Sequence, residues 1–93
     1  MKNNGIGEIV ISNKGRDKGM YYIIVGILPN NYYMLVNGDN KKFVCPKRKI
    51  KKHLDKTGKI IDNIKVKIEN NTKVFDSEVY SAIKKYKDEL SQA

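Results

Sequence analysis

The hydrophobic period of this chain changes once, near residue 59, and that change limits what the chain can become. Before it, apolar residues come in short runs rich in β-branched and aromatic side chains: Glu8 to Ser12, Met20 to Leu28 and Tyr32 to Val36, each bounded by turn formers. After it, Ile60, Ile61, Ile64 and Ile68 recur at helical spacing, and so do Val79, Ile83, Tyr86 and Leu90. Strands first and helices after them predict a fold that is mainly β with α. The 93 residues are material for one small domain with one modest core.

The turns refine this outline. Pro29-Asn30-Asn31 separates the second and third runs as in an antiparallel hairpin, because Pro presets φ and Asn tolerates the left-handed region. Asn37-Gly38-Asp39-Asn40 forms the next turn and leads into a fourth strand at about Lys42 to Cys45, ended or edged by Pro46. A fifth short strand is expected near Lys52 to Leu54. The unbroken run Ile23-Ile24-Val25 predicts a central strand covered on both faces. Five short strands with tight turns fit a small closed barrel better than a sandwich, which needs more strands. One helix is expected over 59–70 and a second from Asp76, acting as its cap, with Glu78 in the first turn where the macrodipole favours an acid. Both are amphipathic and can lie against the barrel or each other. Gly58 is the expected hinge, giving a barrel over residues 1–58 and a helical extension over 59–93, packed on it as a single compact unit.

Charge is distributed as unevenly as period. Residues 1–40 hold four basic and three acidic residues, 41–59 hold nine and one, and 60–93 hold six and six, so the differences are +1, +8 and 0 of a formal net charge of +9. Such a concentrated patch suits a polyanion, since each Lys or Arg near a phosphate releases condensed counterions. Lys41, Lys42, Lys47, Arg48, Lys49, Lys51 and Lys52 form its bulk.

Other chemistries are poorly served. Cys45 is the only cysteine, which excludes an internal disulfide, and with one His it falls short of a structural zinc site. Its apolar neighbours predict that Cys45 is a small buried hydrophobe. His53 has no Ser or Cys partner at a recognisable spacing and reads as a surface or barrel-edge residue. Glu8, Asp17, Asp39 and Asp55 form no close pair for acid–base work, and Asp17 and Asp39 suit turn chemistry. No catalytic residue, metal or cofactor is expected, and no enzyme. No apolar run approaches the roughly 20 residues needed to cross a bilayer. The start, Met1-Lys2-Asn3-Asn4-Gly5, leads into a short β-like run instead of a signal-peptide core, so a cytoplasmic location is expected. Tyr21, Tyr22, Tyr32 and Tyr33 lie on neighbouring strands. Side chains alternate along a strand, so one ring of each pair should be core while the other is free to stack on a base, with Phe43 a further stacking candidate.

The stretch from Gly7 to Gly26 sets a strand, a Gly-containing basic loop and a returning apolar strand in sequence. Gly15 and Gly19 can adopt backbone angles closed to other residues, which crowds Lys14, Arg16 and Lys18 around a turn able to approach a phosphate backbone. This stretch resembles a KOW motif. With Tyr22 three residues after Gly19, where many such motifs have another glycine, it is closer to the KOW domains of archaeal and eukaryotic-type large-subunit ribosomal proteins. It is similar in particular to the small bacterial KOW domain-containing RNA-binding proteins. The likeness extends to the Asn37-Gly38-Asp39 turn, the Lys-rich stretch with Pro46, the His53-Leu54 ending and the helix opening at Asp76-Ser77-Glu78. What the resemblance implies is an SH3-like β-barrel that binds RNA, with ribosomal RNA the expected partner. Phosphates would be met by Lys14, Arg16, Lys18, Lys41, Lys42, Lys47, Arg48, Lys49, Lys51 and Lys52. The expected state is a monomer, ribosome-associated either as a large-subunit constituent or as an assembly or translation factor. The charge-neutral helices are suited to ribosomal proteins, and an SH3-like adaptor in transcription or translation is the alternative.

Overall fold

Three of the five strands form where the turn signals put them. In the computed structural model, which describes residues 4–92, β1 spans Glu8–Ser12, β2 Tyr21–Leu28 and β3 Tyr32–Val36. Met1, Lys2 and Asn3, on which the expectation about the chain's start rests, lie outside the described residues, as does Ala93. Asn30 and Asn31 take the left-handed region, with φ of 62° and 67°, and close the β2–β3 hairpin.

The fourth and fifth strands differ from expectation. β4 is Lys47–Ile50, after Pro46 instead of before it. The apolar segment expected to be a strand, 42–45, is a turn closed by the Cys45 N–H donating to the Lys42 carbonyl (3.0 Å). It sends Phe43 towards the core while Val44 and Cys45 stay exposed, so Cys45 is not a buried hydrophobe. A strand of three cations is tolerated because β4 is an edge, paired only with β3 among the described residues. A 3₁₀ turn at Lys51–His53 follows, then β5 at Leu54–Ile60. Gly58 therefore lies inside a strand and is no hinge, and the sheet runs on to Ile60.

All pairings among the described residues are antiparallel, in the order β4-β3-β2-β1-β5. The sheet is not the closed barrel expected, because no ladder joins β4 to β5. It is nevertheless rolled. Four strand-to-strand steps would hold the two outer strands about 19 Å apart in a flat sheet. The 3₁₀ turn joining them advances only about 6 Å. Rolling gives the sheet two apolar faces. Val10, Tyr22, Ile24, Tyr33, Leu35 and Leu54 fill the inner one, with Ile6. Ile9, Ile23 and Val36, aligned across β1, β2 and β3, form the outer one. β2 is thus covered on both sides, as Ile23-Ile24 predicts.

The outer face is covered by α1, Asp62–Glu69, and α2, Asp76–Ser91, through Ile64, Val79 and Ile83, with Val74 between them. Helix α1 is shorter than its isoleucines predict, because Ile60 ends β5 and Ile61 is the cap. Asp76 is not the cap of α2 but its first residue. Phe75 precedes it, and the Glu78 carboxylate accepts the Phe75 N–H (2.9 Å). Asp76 instead accepts the Phe43 N–H (2.9 Å), which ties the β3–β4 connection to the helix.

A candidate nucleic-acid interface

The β1–β2 loop is a built structure. Ser12 and Met20 close its base, Ser12 N–H donating to the Met20 carbonyl (2.9 Å) and Gly19 N–H to the Ser12 carbonyl (2.8 Å). Gly15 and Gly19 have φ of 93° and 91°, the region that only glycine enters without strain. Between them Lys14, Arg16 and Lys18 are exposed, and none has an acidic partner among the described residues.

Asp17 points the other way. Its Oδ1 accepts from Ser12 Oγ (2.8 Å) and Lys49 Nζ (2.6 Å), and its Oδ2 accepts from Tyr22 Oη (2.7 Å). The register explains the geometry. Lys49 pairs with Tyr33 and so shares the inner face with Tyr22, where an amine can be tolerated only against an acid. A second of its three N–H groups donates to the Lys14 carbonyl (2.6 Å), and Lys49 is only 9% exposed. Lys47, two residues earlier on the same face, lies 3.9 Å from Asp17. Burial opposes ionisation of Asp17. The hydrogen bonds from Lys49, Tyr22 and Ser12 outweigh it and hold the carboxyl well below the usual carboxylate range. Burial, and then Asp17 itself, push the Tyr22 phenol well above its ordinary value.

This cluster draws together two cationic segments that are far apart in sequence. The 3₁₀ turn joins them. Asn13 N–H donates to the His53 carbonyl (2.9 Å) and Asn13 Nδ2 to Asp55 (2.8 Å), which fixes Lys51 and Lys52 beside the loop. His53 is held below its ordinary value by desolvation and then by the positive charges of Lys14, Lys52 and Lys49. Arg48 points to the opposite face of β4 from Lys47 and Lys49, with its guanidinium 5.9 Å from the centre of the Tyr32 ring, and Lys51 lies 4.9 Å from that of Tyr33. Lys41 and Lys42 stand apart, in the connection tied to α2. Lys14, Arg16, Lys18, Lys41, Lys42, Arg48, Lys51 and Lys52 have no acidic partner among the described residues; in the helical half Lys65, Lys67 and Lys84 pair with Glu69, Glu78 and Asp88, while Lys73, Lys85 and Lys87 do not pair.

The tyrosines divide as alternation requires. Tyr22 and Tyr33 are buried; Tyr21 and Tyr32 are half-buried, each with a cation over its ring. Sequence reading missed the role of Asp17, taken as a turn residue, and the inward direction of Lys49. The alternation 47-49 against 48 carries that signal only once β4 is located. Among the described residues no three His, Cys, Asp or Glu side chains are grouped to hold a metal, and no helix is long and apolar enough to cross a membrane. No family model and no curated protein matches the chain.

Proposed function

We propose that this chain is a cytoplasmic RNA-binding protein, ribosome-associated and not an enzyme, whose KOW-like loop and β4 meet the RNA backbone. The observation that carries it is the ion pair between Lys49 and Asp17, which holds the loop against β4 and leaves Lys14, Arg16 and Lys18 facing outward without acidic partners. Lys47, Lys51 and Lys52 extend the patch around the same rim, and Arg48, Lys41 and Lys42 flank it. Lys49 acts here by positioning the loop instead of touching phosphate. An SH3-like architecture is supported by the rolled five-strand sheet, whose last strand returns to the first after a 3₁₀ turn. Duplex RNA hides its base edges in a deep, narrow groove, so a cationic rim of this kind reads backbone and shape.

The test is fluorescence anisotropy with a labelled duplex from large-subunit ribosomal RNA. The variant carries Lys14→Glu, Arg16→Glu and Lys18→Glu together, none of whose side chains is bonded to Asp17 or Lys49. Affinity should fall on the order of 100-fold through lost phosphate contacts, and unchanged affinity would overturn the assignment. A second reading, an adaptor for ribosomal proteins, is favoured by the exposed Val66 and Leu90 and by a cleft of about 780 Å³ between α1 and α2. Retention of ribosome association by the loop variant would favour that reading over the first.

A further inference from the structure

A second cleft, of about 430 Å³, lies where the end of the β1–β2 loop, the Asn37–Asp39 turn and α2 meet. We propose that it takes an unpaired nucleotide of the bound RNA, the base stacking on Tyr80 and the phosphate meeting Lys87 and Lys84. The inference rests on the RNA-binding reading above and extends it from backbone contact to recognition of single-stranded RNA.

Tyr80, Ile83, Lys84 and Lys87 fall at i, i+3, i+4 and i+7 of a 16-residue helix and therefore share one face. Ile83 is core and anchors that face to the sheet. Tyr80 is left 49% exposed, an aromatic ring on a rigid element that the core does not need. Aromatic rings held this way stack bases of any sequence, because every base has a π-face. Lys87 lies 5.1 Å from the centre of the Tyr21 ring and has no acidic partner among the described residues, while Lys84 is shared with Asp88 at 3.6 Å. Asp39, on the opposite wall, has a carboxylate with no hydrogen-bond partner among the described residues, an acceptor for the N–H groups of a base edge. The cleft is continuous with the phosphate-binding rim, since Gly19 and Met20, which line it, end the loop that carries Lys14, Arg16 and Lys18. Strand following the rim past Lys18 would enter it directly.

The experiment compares a blunt fluorescein-labelled RNA hairpin with the same hairpin carrying a short single-stranded 3′ tail. The tail should tighten binding about tenfold, the factor expected of one stacked base. Tyr80→Ala should erase that gain and leave the blunt hairpin's affinity unchanged. Tyr80→Leu, which keeps an apolar contact beside Gly38 but removes the ring, should do the same and covers the case in which Ala loosens α2. The chain has no tryptophan, so Tyr80→Trp supplies a single indole, excitable apart from the tyrosines, that should retain the gain and be quenched by the tailed hairpin only. A tail that adds nothing, a gain that survives Tyr80→Leu, or an unquenched Tyr80→Trp variant would overturn the cleft assignment while blunt-hairpin binding stands. Binding of neither hairpin would overturn the RNA reading together with it. A Tyr80-dependent complex with an acidic peptide, but none with tailed RNA, would assign the cleft to protein.

Discussion

Asp17 ties the β1–β2 loop to β4 through Lys49. It sits in an exposed loop, yet its carboxylate is buried against Lys49, Tyr22 and Ser12. Asp17→Asn would leave the Lys49 amine buried without a counter-charge, a change that typically costs about 3 kcal/mol. Urea unfolding should show this as a lower midpoint at unchanged slope. Because the folded carboxyl titrates well below its unfolded value, the contribution is complete at neutral pH. As pH falls below the unfolded value of about 3.9, the unfolded chain takes up a proton that the folded chain still refuses. Stability should therefore drain away below about pH 5 in the wild type. The Asp17→Asn curve should be flatter there, its residual slope including Glu78, whose carboxyl Lys67 and the Phe75 N–H hold below its ordinary value. Nothing in the sequence marks Asp17 out: an Asp in a Gly-flanked turn is ordinary turn chemistry, and its partners lie 5 and 32 residues away.

At the scale of elements, what was legible followed period and turn chemistry. β1, β2 and β3 stand where Pro29-Asn30-Asn31 and the Gly-rich loop bound them, and α2 opens at Asp76. What misled was hydrophobicity taken as a marker of strand. Phe43-Val44-Cys45 is apolar and forms a turn, while Lys47-Arg48-Lys49 is charged and forms β4. An edge strand requires no apolar alternation on its open side, and the position of the edge is a property of the whole sheet. The β3–β4 connection has its own constraint at Gly38. With φ of 75°, a methyl there would collide with the Asp76 carbonyl oxygen and sit 2.7 Å from the Tyr80 nitrogen. Gly38→Ala should thus force the first turn of α2 off the sheet and destabilise the fold by about 2–4 kcal/mol, strain and lost packing together. Hydrogen exchange should locate the damage, with the amides of Val79 and Ile83 losing protection more than those of β1.

For the molecule as a whole, charge and topology act together. With about six phosphates neutralised at the rim, the logarithm of affinity should fall with the logarithm of salt concentration with a slope of about −5. Sedimentation of tagged protein with ribosomal subunits at low and moderately high salt tests this in context. Co-migration with the large subunit that is lost at higher salt marks a passing factor, and persistence marks a constituent held by more than phosphates. Migration at the top of the gradient under both conditions, with isolated RNA still bound, would remove the ribosome from the proposal. The same cations have a second consequence, one of colloidal behaviour. β4 is the open margin of an unclosed sheet, and such a margin is a template on which another chain's strand can pair. Lys47 and Arg48 line that margin, so two copies meeting edge to edge repel each other. The repulsion is strongest in dilute buffer and is screened as ions are added. The concentrated protein should accordingly stay dispersed in dilute buffer and self-associate as salt rises.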